Sequence, residues 1–379
     1  MPRQRGEDIH WAQLQDTPLA PYLKKMQNTP QDALHHAEGD VLTHTKAVCT
    51  ALFSLDEYWA LEETERLVLA FAAVFHDIGK ITATKIEDGK IVSPNHAKKG
   101  AHLTRELLWR VFGFSGEKED QQTREAVVGL VYHHAFPPLA VAESHPTKTM
   151  LKIAALGELA PAFSLRLLYL LALADLKGRV CQDADLYHEQ IEYFRSVAQE
   201  AGCFTSPYPF PSPFARRAYF CGKSNTPDQI PYNPTWGEVV MLSALPGSGK
   251  DTYIKKHFPD LEMISLDDIR QKLGISPKDE QGKVIAHAKE RAKALLRQKT
   301  PFIYNATTLT REVRGKQIAL FERYGASVRV VFLECEWEEE LRRNRSRKAE
   351  VPEGAIMRML SKLEIPECWE CQQVEWLIH

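Results

Sequence analysis

The sequence predicts two domains of different class, an all-helical one followed by an open α/β one with a parallel sheet, and three observations predict it. At 379 residues, the chain exceeds the size at which a single hydrophobic core stops growing. From residue 31 to 200, apolar residues recur at helical spacing and few stretches alternate. Beyond residue 236 the period changes, and short apolar runs alternate with helical segments, the rhythm of parallel strands joined by crossover helices.

Taken in order, helices are expected over 41–55, 62–76, 97–111, 121–134, 147–159 and 164–176, each with one apolar face. From 204 to 236 the pattern dissolves. There Pro207, Pro209, Pro211, Pro213, Pro227, Pro231 and Pro234 remove helix and ladder donors, so a connector is expected. Strands are then expected over 238–244, 261–266, 301–304, 327–333 and 374–378. The boundaries that follow are a first domain over 1–225, a linker over 226–236 and a second domain over 237–379.

Composition, 44% hydrophobic and 26% charged, is that of an ordinary globular protein, and no apolar run approaches the roughly 18 residues of a membrane helix. The opening residues lead into no apolar signal core, so a cytoplasmic address with no membrane partner is expected. Seven scattered cysteines make no disulfide framework, and Cys368-Trp-Glu-Cys371 has no second pair to complete a zinc site. Net charge is −2, with the second domain slightly basic. The dense cluster Arg342, Arg343, Arg345, Arg347 and Lys348 suits either a polyanion or a solvated helix face.

The apolar run 238–244 meets Ala244-Leu-Pro-Gly-Ser-Gly-Lys-Asp-Thr252. A strand turning through such a loop into a helix surrounds an anion with backbone N–H groups, and its lysine reaches terminal phosphates. Gly247, Ser248, Gly249, Lys250, Asp251 and Thr252 are therefore the expected nucleotide-binding residues, with ATP or another NTP and Mg²⁺ as cofactor. The usual loop has Gly where this chain has Ala244 and Ser or Thr where it has Asp251. Either Asp251 or the Thr252 hydroxyl serves the metal, and each offers a hard oxygen. After the next expected strand comes Asp267-Asp268-Ile-Arg270, which places carboxylates and a guanidinium at the carboxyl edge of the sheet, where ligands of such folds bind. One aspartate suits a general base and the other, or a neighbour, a helix cap.

These residues resemble the 5′-OH polynucleotide kinases, on the loop 246–250, the stretch 266–270 and an arginine-rich lid over 343–347. The resemblance implies that Asp267 activates a 5′-hydroxyl, Lys250 steadies the phosphates, Arg270 grips the acceptor phosphate and Arg347 covers the transferring group. Asn305 stands where the phage-type kinases carry an aspartate.

In the first domain, spaced histidines and aspartates fall at helix ends: His44, His76-Asp77, His96, His133-His134, and Asp175 within an apolar run. An aspartate there is costly to bury unless paired or metal-bound, and converging helices suit a metal site. Mixed imidazole and carboxylate donors favour one or two first-row ions such as Mn, Fe, Co, Ni or Zn, which activate water for attack on phosphorus. Lys80, one turn beyond His76, is placed to stabilise the phosphate. The set His44, His76-Asp-Ile-Gly-Lys80, His96-x-x-x-Gly100, His133-His134 and Asp175-Leu-Lys-Gly-Arg179 resembles the HD phosphohydrolase superfamily, which implies an all-helical metal-dependent domain. His35, His36, His102 and His145 match no motif position. Of the tandem pair, one member can suffice, and His134 ranks last among the expected ligands.

The order, HD-type helical domain then P-loop kinase domain, resembles the bacterial HD-Pnk family of bifunctional end-healing enzymes. That resemblance implies DNA or RNA ends as substrates: removal of a 3′-phosphate, 2′-phosphate or 2′,3′-cyclic phosphate, phosphorylation of a 5′-hydroxyl, and a ligase acting downstream. The alternative is a small-molecule nucleotidase fused to a nucleoside-type kinase.

Overall fold

Side-chain caps decide where the helices of the N-terminal half begin. Asp40 accepts from the Thr43 N–H at 2.9 Å and starts α1, Val41–Phe53. A reciprocal pair between Glu62 and Glu65 starts α2, Glu63–Phe75, and α3, His96–Arg110, begins after the left-handed Asn95. α4 is Lys118–His133. Ser164 accepts from the Leu167 N–H at 3.3 Å and starts α5, Leu165–Lys177, after which α6 runs Ala184–Glu200. The computed structural model describes residues 4–32, 37–347 and 349–379. His35, His36 and Lys348 lie outside the described residues.

Helices α1, α2 and α5 pack together, burying Val48, Leu52, Leu69, Ala72, Leu168 and Leu171. At apolar stabilisation of roughly 25 cal/mol per Å², this shared core is what fixes the inward-facing polar residues at the helix ends. The segment after α2 is held by glycine: a Cβ on Gly79 would collide with the backbone of His96 and Gly100, so the strand of chain bearing His76 and Asp77 lies directly on the start of α3. A small hairpin that helical periodicity did not announce follows, β1, Lys85–Glu87, paired antiparallel with β2, Lys90–Val92. Its two-residue turn, Asp88-Gly89, has positive φ at both positions, 50° and 76°, which suits an Asp-Gly pair.

In the C-terminal half the strands are β3, Glu238–Ala244; β4, Glu262–Ser265; β5, Phe302–Asn305; β6, Ser327–Glu334; and β7, Gln373–Ile378. They form a parallel sheet of order β4-β5-β3-β6-β7 among the described residues. β3 is central and almost wholly buried, as its unbroken apolar run requires of a strand covered on both faces. The register sets Leu242 beside Asn305, Asn305 beside Ser265, and Ala244 beside Leu333. The carboxyl ends of β3, β4, β5 and β6 therefore share one edge, where the connections leave in opposite directions.

The proline-rich stretch contains a helix. α7, Pro213–Phe220, starts with Ser212 accepting from the Ala215 N–H at 3.0 Å and with Pro213 in its first turn, where a missing N–H costs nothing. Arg217 on α7 pairs with Glu322 at 2.7 Å. The chain divides into two compact units, Met1–Phe114 with Glu119–Tyr208, and Ser115–Lys118 with Pro209–His379. No helix among the described residues is long and apolar enough to cross a membrane.

Candidate functional site

Four histidines and two aspartates from separate elements converge in the first unit. His44 comes from α1, His76 caps the end of α2 and Asp77 follows it, His96 opens α3, His134 follows α4, and Asp175 lies near the end of α5. His44, His76, Asp77 and His134 are buried. Asp77 faces both ways: Oδ2 lies 3.4 Å from His76 Nε2 and 3.7 Å from His44 Nε2, while Oδ1 lies 3.6 Å from His96 Nε2 and 3.7 Å from His134 Nε2. Asp175 Oδ1 adds a contact of 3.0 Å to His44 Nε2. The result is two three-residue donor groups, His44-His76-Asp77 and Asp77-His96-His134, whose donor atoms lie within 4.8 Å of one another in each group.

The hydrogen-bond chemistry of these rings fits a cation. His76, His96 and His134 each direct Nδ1 at a backbone carbonyl, of Ala73, Ser93 and Val131, at 2.8, 2.9 and 2.7 Å. A carbonyl only accepts, so each Nδ1 carries the proton and each neutral ring turns a lone pair inward at Nε2. Those inward nitrogens meet in pairs, His96 with His134 at 3.2 Å and His76 with His44 at 3.3 Å. Facing lone pairs at that separation repel unless a proton or a metal ion lies among them, and a backbone carbonyl behind the far ring nitrogen is the usual outer support of a metal-binding imidazole.

Electrostatics prepares Asp77, Asp175 and His134 as donors and leaves His44 holding a proton that an arriving cation would displace. Burial, with His76 and His96 nearby, pushes His134 down to about 3 against the pull of Asp77, so the ring stays neutral. For Asp77, burial favours the neutral acid, but Lys80, His76 and His44 outweigh it and hold the carboxyl well below its ordinary value. Asp175 is held down in the same way, chiefly by Arg179 and His44 against burial. His44 is lifted to about 9, because hydrogen bonds to Asp175 and Glu38 overcome the cost of burial. Lys80 Nζ contacts Asp77 at 2.7 Å and Gln31 Oε1 at 2.6 Å, so the expected phosphate-stabilising lysine borders the donors. Gln31, Asp77, Lys80, His96, His134 and Asp175 line a cavity of about 320 Å³.

His133 belongs to neither donor group, unlike its neighbour; its ring meets Tyr132 edge-on, with centroids 4.8 Å apart. Successive residues at a helix end point about 100° apart, so only one of the pair can face the cluster. Periodicity did not single out Glu38, which reaches His44 Nδ1 at 2.7 Å, nor Gln31. The only signal for either is a polar residue shortly before the first motif histidine.

In the second unit, β3 runs into the glycine loop and α8, Lys250–His257. Gly247 and Gly249 both have φ in the left-handed region, 99° and 88°, and a Cβ on Gly247 would collide with the Glu340 carbonyl. Lys250 Nζ donates to the carbonyls of Ala244 and Leu245 at 3.3 and 3.1 Å. Burial lowers the Lys250 ammonium from its ordinary value, Glu340 opposing and Arg347 adding to the effect. The buried Ser248 hydroxyl has no hydrogen-bond partner among the described residues, which suits a loop that receives an anion. Asp251 and Thr252 are exposed in the first turn of α8, and Asn305 Nδ2 donates to Asp251 Oδ1 at 3.2 Å, so this asparagine orients the carboxylate beside the loop.

α9, Leu266–Leu273, leaves β4 at the same edge. Ser265 caps it, accepting from the Asp268 N–H at 3.2 Å, so neither aspartate is the cap. Asp267 is exposed and ion-paired with Arg270, whose Nε also donates to Gln281 Oε1 at 2.7 Å. Arg347 is exposed just beyond the helix Trp337–Arg345, and Asn344 near the end of that helix exchanges two hydrogen bonds with Val351 at 2.8 and 3.1 Å. The lid motif 343–347 includes Asn344 without giving it a task, and no motif pointed to His379, whose ring lies against Gly249 and whose carbonyl accepts from Arg343 at 3.0 Å.

Comparison with known proteins agrees with this division. A model of the HD-domain family matches residues 41–188, and a model of the AAA-domain family matches residues 239–366. Among solved structures, the chain is similar to an unliganded sugar kinase from Janibacter sp. HTCC2649, with 24% identity, coverage of 38% of this chain and 86% of that one, and a TM-score of 0.29. It is also similar to a gluconokinase from Sinorhizobium meliloti 1021, with 16% identity, coverage of 39% and 84%, and a TM-score of 0.27. The chain joins an HD domain to a P-loop kinase-like domain, the first suited to divalent ions and the second to an NTP with Mg²⁺.

Proposed function

We propose that the protein heals broken nucleic-acid strands at both termini, in the cytoplasm. The HD domain removes a 3′-phosphate, 2′-phosphate or 2′,3′-cyclic phosphate, and the kinase domain phosphorylates a 5′-hydroxyl from an NTP, leaving DNA or RNA ends that a ligase can join. The observation that carries this reading is the acceptor side of the glycine loop. There Asp267, a carboxylate able to take a hydroxyl proton, stands beside Arg270, whose planar fork suits a phosphodiester. A hydroxyl one sugar away from a phosphodiester is what a 5′ terminus presents.

On the kinase side, Lys250 leaves the carbonyls of Ala244 and Leu245 for the donor phosphates, and Asp251 or Thr252 supports Mg²⁺. Asp267 accepts the acceptor proton once Arg270 turns to the incoming phosphate, and Arg347 covers the transferring group, so catalysis rests on position and charge. On the HD side, His44, His76, Asp77, His96, His134 and Asp175 would hold one or two divalent transition ions. Bound there, such ions supply a Lewis acid and an acidified water. Lys80, already between Asp77 and Gln31, offers its ammonium to a phosphate oxygen at the cavity floor.

The test uses oligonucleotides of both sugars. A 5′-hydroxyl strand given NTP and Mg²⁺ is expected to gain phosphate, and Lys250→Ala or Asp267→Ala to silence that transfer while phosphate release continues. A 3′-phosphate strand given Mn²⁺, Ni²⁺, Co²⁺, Zn²⁺ or Fe²⁺ is expected to lose phosphate, and Asp77→Ala to abolish the loss while sparing the kinase. If free nucleosides accept phosphate and strands do not, the reading is wrong.

A further inference from the structure

The cavity over the donor cluster has two chemically different walls. Its floor is polar, with Asp77, Lys80, His96 and His134. Its rim carries apolar and aromatic side chains: Ile91 from β2, Leu139, and Tyr187 from α6. Leu139 is 60% exposed, and Tyr187 is half-buried, so the rim presents a leucine side chain and a ring face to whatever enters. Arg179 ties rim to floor. Its Nη2 lies 2.7 Å from Asp175 Oδ2, and its guanidinium carbon lies 5.5 Å from the centre of the Tyr187 ring. The cation holds the ring at a fixed place beside the donor groups, so the aromatic face is oriented before a ligand arrives.

We infer that this rim is a nucleobase subsite: the terminal base of a 3′-phosphorylated strand rests on Tyr187 between Ile91 and Leu139, while its phosphate reaches Lys80 and the donor cluster. The inference rests on the end-healing reading and specifies what part of the end is gripped. A cavity of about 320 Å³ is of the size that takes a small ligand, and only a ligand with an apolar planar part beside its phosphate uses both walls. A sugar phosphate or an inorganic polyphosphate would meet the floor and leave the rim in water. Every base has a π-face, so such a subsite favours no sequence.

The experiment measures steady-state phosphate release by the full-length, metal-loaded chain. Three substrates are compared: a 3′-phosphate strand ending in a base, the same strand ending in an abasic sugar phosphate, and glycerol 2-phosphate. Tyr187→Ala is expected to raise KM for the base-bearing end about tenfold, the equivalent of about 1.4 kcal/mol, with kcat kept. The wild-type chain is expected to show a similarly raised KM for the abasic end, with no further rise in Tyr187→Ala. Tyr187→Phe, which keeps the ring, is expected to recover most of the affinity. Should Tyr187→Ala fail to fold, Leu139→Ser at the exposed rim reads the same selective rise in KM. Equal KM for base-bearing and abasic ends in the wild-type chain overturns the subsite and leaves end healing standing. Release from glycerol 2-phosphate with none from any strand end overturns both.

Discussion

A single residue step separates a candidate metal donor from a bystander at the end of α4. His134 directs a lone pair at Asp77, whereas His133 turns to Tyr132. We therefore expect His134→Ala to lose bound transition metal on dialysis and His133→Ala to keep it, as measured by elemental analysis of the purified chains. The sequence placed both in the set and ranked His134 last, because adjacent histidines have nearly the same chemistry; the direction of the helix end distinguishes them and favours His134. Glu38 shows the opposite case, a residue with no motif but a clear task. By holding His44 Nδ1 at 2.7 Å it fixes which nitrogen faces the donors. Glu38→Gln is expected to weaken metal affinity about 10- to 100-fold while leaving the thermal transition of the metal-free chain nearly unchanged, read by competition with a chelating dye. At the kinase edge, Ser265 takes the capping role and leaves Asp267 exposed, which frees that carboxylate for chemistry.

Between elements, α3 and α4 are joined by a buried charge cluster rather than by apolar contact alone. Glu125 on α4 receives Arg105 of α3 at 3.0 and 2.7 Å and Arg124 at 2.8 Å, and the Arg124 guanidinium lies 4.3 Å from the centre of the Trp109 ring. Burial alone would raise the Glu125 carboxyl, but Arg105 and Arg124 outweigh it and lower the value. A carboxyl lowered on folding stabilises the folded chain above its unfolded value of about 4.3, and that contribution is lost as pH falls through the lowered folded value. Glu125→Gln strands two buried guanidinium groups, so it should cost about 3 kcal/mol at neutral pH and flatten the acid limb of the melting-temperature profile. An unchanged profile would show that Glu125 is dispensable to the packing. The sequence announced α3 and α4 through their apolar faces, yet it could not announce this cluster, because Arg105, Arg124 and Glu125 look like ordinary surface charges until the helices meet. The hairpin of β1 and β2 escaped for another reason: three residues per strand are too few to show a period. α7 escaped because its prolines read as breakers, although Pro213 occupies the one helical turn that tolerates it.

For the whole molecule, the proposed function assigns different ions to the two sites, and that separates their expected responses. Removing metal with a strong chelator and then returning Mg²⁺ alone is expected to restore phosphoryl transfer in full while phosphate release stays low; adding Mn²⁺ or another first-row ion should bring release back. Recovery of both activities by Mg²⁺ alone would contradict the imidazole-rich donor set. The sequence by itself determined the class of each half, the order in which they come and the motifs that carry chemistry: helical and strand periods are local, and a glycine loop after an apolar strand is a local signal. The tertiary structure alone decided which histidines share Asp77, where the Glu38 and Gln31 supports stand, that Tyr187 meets Arg179 at the cavity rim, and that Asn305 orients Asp251. Those partnerships join residues far apart in the chain, and their geometry exists only after helices and strands have packed, because a side chain's partner is set by direction in space rather than by spacing in sequence.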